Sequence, residues 1–396
     1  MKNITIILYQ IVLLLLVLWG LHAWFTWPLD VGNNIIIYGL IDFVAIIYAI
    51  KNNISIKLKN KEIMALFLFV ITIAFYSNNL FSFIESIIHY FPIIILICDK
   101  TYNFKHLEFI SKIFGWIVII GAVPYLLYKF SSLPLLGIPI NYEAQQDSSY
   151  YFMNYFVFID NIFGGDEALR YSSVFLEPGY LGTFSAFLLF LNRYDLHKPH
   201  NAFILIGLLL SFSLAGYVIG LCGYCLSLLE RGLPARRMIL LTAAIYSAVT
   251  LAPYVNNGDN LFNNLIVERM QVDEEKGIVG NDRFHGDTDR IFEESIKNGA
   301  YLWGIDKQTF SRSDIYGAGY KIYILQRGLV SLILILLFYV VLANNACNRR
   351  HCLYATIVLV LILIQATTPF SYRWLVPFLL SIGLNDNRDK QTSTSI

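Results

Sequence analysis

The chain has 396 residues; 57% are hydrophobic types, 14% are charged, and the formal net charge is +1. Mean hydropathy is +0.58, whereas a soluble domain carries roughly 25% charged residues and about 45–50% apolar ones. A water-soluble globule, a disordered tail, a fibre and a nucleic-acid binder are excluded. Long apolar runs alternate with short polar ones, the pattern of an all-α polytopic membrane protein.

Twelve transmembrane helices are expected, at about 4–25, 34–50, 62–77, 80–98, 110–130, 173–191, 201–213, 215–229, 238–254, 318–342, 353–367 and 371–384. The first is too long for a signal-peptide core and has no small-x-small cleavage site, so it reads as a retained helix. In the fourth, Glu85 and His89 are four apart on one helical face, and Asp42 lies in the second. Intramembrane ionisable groups are functional suspects, although a mutually satisfied pair is an equal reading. His22 and His106 have no evident partner and read as interfacial. The seventh and eighth crossings could form one helix by periodicity. Charge separates them, because both flanks are basic: Arg193 and Lys198 before, Arg231, Arg236 and Arg237 after. An even number of crossings, hinged at Ser213–Gly216, keeps both flanks in the cytoplasm.

Other loops follow the same rule. Lys51, Lys57, Lys59 and Lys61 fill one loop, Lys100, Lys105 and Lys112 another, and Arg349 and Arg350 a third. Both termini are therefore expected in the cytoplasm. The organisation becomes five helices over 1–130, an outer loop at 131–172, four helices over 173–254, a second outer loop at 255–317, three helices over 318–384 and a polar tail at 385–396. In the second outer loop, 260–276 and 287–298 look helical. The five cysteines, Cys98, Cys222, Cys225, Cys347 and Cys352, avoid both outer loops, so no disulfide framework is indicated. Cys222-Gly-Tyr-Cys225 has metal or redox spacing but no partner ligands around it. There is no P-loop sequence.

The outer loops concentrate arginine: Arg170, Arg269, Arg283, Arg290 and Arg312, with Arg373 opening the last crossing. Arginine captures phosphate oxygens in a planar, bidentate way, so this face above an apolar bundle suits a lipid-linked phosphate or pyrophosphate. Pairing with nearby acids is the plainer reading of any one of them. Arg283-Phe-His285-Gly-Asp287-Thr-Asp289-Arg290 gathers cations, acids and an imidazole in eight residues. Its Asp-x-Asp could hold a metal, but capping the following helix explains it better; no metal and no cofactor is expected. Tyr150, Tyr151, Phe152, Tyr155 and Phe156 could stack on sugars or line the membrane interface.

The most informative stretch is Arg170-Tyr-Ser-Ser-Val-Phe-Leu-Glu177-Pro-Gly-Tyr-Leu-Gly182. An arginine leads into an apolar segment whose mouth holds Glu177. An Arg170–Glu177 ion pair fixing the helix entry is the structural alternative to a catalytic role. Arg-x-Ser-x-x-Phe-x-Glu-Pro-Gly before a membrane helix resembles the Wzy-type polymerases of O-antigen and capsule repeat units. Trp303-Gly-Ile305, Asp314-Ile-Tyr-Gly-Ala-Gly319 and Gln326-Arg-Gly328 resemble that family's glycine run after its second outer loop. Leu214 stands where a hinge arginine often stands, and Asp314, Tyr316 and Tyr320 stand near where related ligases place a histidine.

The resemblance implies about twelve helices with two large outer loops, in the manner of a GT-C-type glycosyltransferase. It implies transfer of a chain from undecaprenyl pyrophosphate to a new lipid-linked repeat unit. Donor and acceptor are then undecaprenyl-pyrophosphate-linked oligosaccharides, the bilayer is a partner, and a chain-length regulator is a candidate partner. Arg170, Arg283 and Arg290 are the cation candidates; Glu177 and His285 are the base candidates. Arg312, Asp314, Tyr316 and Arg373 are candidates for substrate binding. An O-antigen ligase, or a lipid-linked oligosaccharide flippase or transporter, is the alternative.

Overall fold

The computed structural model describes residues 2–29, 35–54, 59–77, 79–98, 100–131, 133–140, 151–161, 170–232, 235–260, 262–273, 277–278, 284–305, 310, 315–317, 319–364 and 370–384. In chain order the helices are α1 (Lys2–Gly20), α2 (Ile35–Lys51), α3 (Asn60–Tyr76), α4 (Leu80–His89), α5 (Phe91–Cys98), α6 (Asn103–Ser131), α7 (Pro178–Leu191), α8 (Pro199–Leu210), α9 (Leu214–Glu230), α10 (Ala235–Leu251), α11 (Thr288–Asn298), α12 (Tyr320–Ala343), α13 (Arg349–Leu363) and α14 (Tyr372–Ser381). The chain is nearly all α. The short strands are β1 (Ile138–Ile140), β2 (Tyr151–Asn154), β3 (Phe158–Asn161), β4 (Val272–Asp273), β5 (Gly277–Ile278), β6 (Phe284–Gly286) and β7 (Ile315–Gly317). They pair as an antiparallel β1-β2-β3 sheet and two hairpin-like pairs, β4-β5 and β6-β7.

Every expected apolar segment overlaps helix, with 80–98 split into two helices and 173–191 helical only from Pro178, but the helices differ in reach. Among the described residues, α6 and α12 are long and apolar enough to cross a membrane. The α4–α5 pair would make a third span, bent by 50° at Tyr90. α1, α7, α8 and α9 are apolar but shorter; the 14 residues of α7 reach about 21 Å at 1.5 Å per residue. Between α8 and α9 the helix is broken over Ser211–Ser213, two residues ahead of the expected hinge and overlapping it at Ser213. The stretch 260–276, expected to be helical, instead holds π and 3-10 turns over Asn263–Met270 and then enters the β4-β5 pair. Its polar asparagines bond locally: Asn260 Nδ2 donates to the Ala252 and Val255 carbonyls, which favours turns over a continuous helix.

Backbone contacts divide the chain into two compact units. One comprises Met1–Gly20, Gly32–Ile110 and Arg283–Ile396. Here α3 packs along α12, and Phe69 lies against Tyr90, Phe338 and Phe370 at 5.5, 5.4 and 5.1 Å. Tyr9 of α1 stacks on Tyr48 of α2 at 4.1 Å, and the Tyr48 hydroxyl meets His106 Nε2 at 3.1 Å. His106 is fully buried and meets Tyr48, which corrects the reading that it has no partner; nothing in its local sequence names one 58 residues away. His89 and Glu85 form no ion pair. The His89 ring instead lies against Trp19, Tyr38 and Tyr372, at 5.3, 3.7 and 5.6 Å.

The second unit comprises Leu21–Val31 and Ser111–Asp282. α7 is its centre: every residue from Leu181 to Leu191 is buried. A helix apolar all round belongs in a core. Pro178 supplies the fixed φ of the first turn. α7 and α9 meet at Gly182 and Gly216. A methyl on Gly216 would fall 2.8 Å from the Gly182 carbonyl carbon, and one on Gly182 would fall 2.6 Å from Ser213 Cβ. Small residues let the two backbones touch, as in membrane helix pairs.

Candidate functional site

The best-defined candidate lies in the second unit, where 170–177 feed into α7. Tyr171 anchors this segment. Its N–H donates to the Leu210 carbonyl at 3.1 Å, and its hydroxyl donates to the Val118 carbonyl at 2.7 Å. The Ile159 N–H donates to the Ser173 carbonyl at 2.9 Å, tying the segment to β3. Ser173 takes a left-handed φ of +56° to make the turn. Local hydrogen bonds and a buried tyrosine thus fix the backbone around Arg170.

Arg170 is half-buried, and its Nε donates to the Ser211 carbonyl at 3.3 Å. That carbonyl belongs to the buried residue that caps the C-terminus of α8, where the helix dipole is negative and a cation is favoured. The α8–α9 break therefore carries a cation even though Leu214 occupies the hinge position. The charge comes from a residue 41 positions upstream, out of reach of any local motif. Across the break, Ser213 Oγ accepts the Gly216 N–H at 3.1 Å and caps α9.

Glu177 is the residue before α7, with extended backbone. That position favours a carboxylate that caps the helix, yet its side chain makes no capping bond and is exposed. The adjoining segment 21–29 runs beside this mouth. Ala23 bridges Phe175, and the Trp24 N–H donates to the Val174 carbonyl at 2.9 Å. His22, read from sequence as partnerless, sits 5.8 Å from the Tyr180 ring. Trp27, Tyr151, Met153, Ile159 and Leu176 form the core beneath. Tyr151 is therefore a packing residue, not an open stacking face, and Tyr150 lies outside the described residues. Phe156, at the β2–β3 turn, is 62% exposed.

In the first unit the β6-β7 pair sets His285 opposite Tyr316. Asp287 then precedes α11, and Arg290 bridges Asp287 at 2.9 Å and Glu294 at 2.7 Å on its own helix face. The Arg290 guanidinium holds the Asp287 carboxyl below its ordinary range, while the two carboxylates push the guanidinium higher still. Asp289 takes the Lys321 ammonium at 2.7 Å, and the Arg290 pairs are the plainer reading of a loop arginine, pairing with nearby acids. The expected cap differs in detail: Asp287 bonds no helix N–H through its side chain, because Arg290 claims it. Among the described residues, no group of three or more His, Cys, Asp or Glu side chains could hold a metal.

Arg373, in α14, is 4% exposed, with its guanidinium 5.0 Å from the Trp374 ring. The segment 302–305 lies against a kink in α12 at Gly328. Ile305 N–H donates to the Leu325 carbonyl at 2.8 Å, and Gly304 and Gly328 take φ of +90° and +82°. A methyl on Gly304 would sit 3.1 Å from the Gln326 carbonyl oxygen. Both glycines of that sequence motif thus serve one close backbone contact. Arg283, Arg312 and Asp314 lie outside the described residues. Comparison with protein-family models, curated proteins and solved structures finds no match.

Proposed function

We propose that this chain is a polyprenyl-pyrophosphate-dependent glycosyltransferase. It polymerises undecaprenyl-pyrophosphate-linked oligosaccharide repeat units into O-antigen or capsular polysaccharide at the outer face of the bacterial inner membrane. The observation that carries this reading is the mouth of α7, where a fixed arginine and an exposed, non-capping carboxylate stand on a glycine-tight apolar core. In this reading the twelve apolar segments cross the membrane, with 131–172 and 255–317 outside and both termini inside.

The reaction forms a bond between an acceptor hydroxyl oxygen and the donor's anomeric carbon. It breaks that carbon's bond to the pyrophosphate oxygen. Arg170 stabilises charge developing on the departing lipid pyrophosphate. Glu177 accepts the hydroxyl proton. Arg283 and His285 are second candidates for these two roles on sequence grounds, and Arg290 a further cation candidate, already held by two acids of its own segment. The intramembrane Glu85–His89 pair that a proton-coupled transporter would use does not form.

Deletion of the gene tests the reading directly, by the gel pattern of the surface polysaccharide. A polymerase mutant keeps lipid A–core bearing one repeat. Loss of even that single repeat would make the protein a ligase, and loss of lipid-linked repeats from the outer leaflet would make it a flippase.

A further inference from the structure

We propose that Tyr217 is the positioning residue of Arg170: its hydroxyl claims the Leu209 carbonyl and so confines the guanidinium to Ser211. This rests on the polymerase reading and deepens it. The last carbonyls of a helix have no partner within its ladder, and the end of α8 is met by other groups. Ser211 Oγ donates to the Leu208 carbonyl at 2.7 Å. The Tyr217 hydroxyl, from the first turns of α9, donates to the Leu209 carbonyl at 2.5 Å. The Tyr171 N–H donates to Leu210 at 3.1 Å, and Arg170 Nε donates to Ser211 at 3.3 Å. Tyrosine and arginine thus hold neighbouring carbonyls of one helix end, and the Arg170 charge acts on the Tyr217 hydroxyl.

Competition for these carbonyls is why the hydroxyl matters. The negative end of a helix draws a cation, and a guanidinium offers a rigid fork of N–H donors. With Leu208, Leu209 and Leu210 claimed, Ser211 is the carbonyl left for Arg170. Removing the hydroxyl opens Leu209, whose other donor is the longer Phe212 N–H bond at 3.4 Å. The guanidinium is then drawn back along α8. Tyr217 is itself placed by the backbone. It follows Gly216, where a methyl would fall 2.8 Å from the Gly182 carbonyl carbon, and Ser213 caps the turn before it.

The test is a double-mutant cycle of Tyr217→Phe and Arg170→Ala, made in the full chain in nanodiscs and read in two ways. The first is the NMR signal of the Arg170 Nε–H, identified by its loss in Arg170→Ala. Tyr217→Phe should shift this signal and speed its exchange with water. The second is polymerisation of lipid-linked repeat units. Tyr217→Phe should lower kcat about fivefold, the scale of one hydrogen bond, with KM little changed. In the Arg170→Ala background it should change nothing further, because the interaction it removes is already gone. A tyrosine that only anchors α9 at the membrane interface predicts a lowered unfolding midpoint, an unmoved Arg170 signal and equal rate losses in both backgrounds. An unmoved signal or equal losses would make the proposal wrong and leave the polymerase reading standing. If Tyr217→Phe moves the signal but wild type joins no repeat units, the polymerase reading falls and Tyr217 still positions Arg170.

Discussion

Two short stretches, 170–182 and 283–290, look equivalent as sequence: each sets arginine and carboxylate just ahead of a helix. In the folded chain they diverge. Arg170 is half-buried and donates to a main-chain carbonyl at a helix break, and the helix that follows is wholly buried from Leu181 onward. Arg290 is 58% exposed and bridges acids three residues before it and four after it. The first arginine is placed by tertiary structure, the second by its own helix. A cation held by long-range contacts keeps its position when substrate arrives. One held by i,i+3 and i,i+4 pairs on a solvated face is largely screened.

That contrast breaks most sharply on the arginines themselves. Arg170→Ala should lower polymerisation by about 10²–10³, or about 2.7–4 kcal/mol, as when one donor is removed from an oxyanion hole. Arg170→Lys should recover little, because lysine keeps the charge but not the planar fork. Arg290→Ala should change the rate only a few-fold, a difference read from polymer ladders at equal protein levels. Equal losses at both positions would erase the contrast. Recovery by the double swap Arg170→Glu/Glu177→Arg would reduce Arg170 to a structural ion-pair partner.

A smaller effect separates the supports of the two stretches. Gly216→Ala forces a methyl to 2.8 Å from the Gly182 backbone, and overpacking of this kind typically costs about 1–3 kcal/mol. Thermal unfolding in detergent should show a lowered midpoint, with polymerisation reduced in parallel. Gly179→Ala, which meets nothing within 4 Å, should leave the midpoint unchanged. A neutral Gly216→Ala would mean that α7 and α9 do not touch there.

Acid should loosen the second stretch more than the first. The Asp287 carboxyl is held below its ordinary value by Arg290. Its contribution to α11 is therefore present above the unfolded carboxylate range and is lost as pH falls through the lowered value. Hydrogen exchange of α11 amides should quicken on acidification below that range, and Asp287→Asn should quicken it at neutral pH and flatten the response. Exchange in α7 should stay slow throughout. The smallest expected effect is that of chelation. Asp287 and Asp289 are already engaged by Arg290 and Lys321, so EDTA should leave activity intact; loss that Mg²⁺ restores would reassign both aspartates.

The sequence by itself determined where the apolar helices lie, though not the break within 80–98 or the turns of 263–270, because apolar periodicity, Pro178 at a first turn and serine at a break are local signals. It also marked 170–182 as the stretch to examine, through Arg170, Glu177 and the following glycines. Composition alone could not say that α7 is enclosed by α9, since an apolar helix facing lipid and one facing protein share the same residue types. Nor could it find the partners of Arg170, His22 and His106. Each is met by a carbonyl or a ring dozens to more than a hundred residues away, and no local pattern encodes such a distance. The same limit explains why Tyr151 is core rather than an open stacking face, and why Asp287 and Asp289, which do sit at the N-terminus of α11 as expected, also receive Arg290 and Lys321. Side-chain chemistry is written in the residue, but its partner is selected only when distant segments close around it.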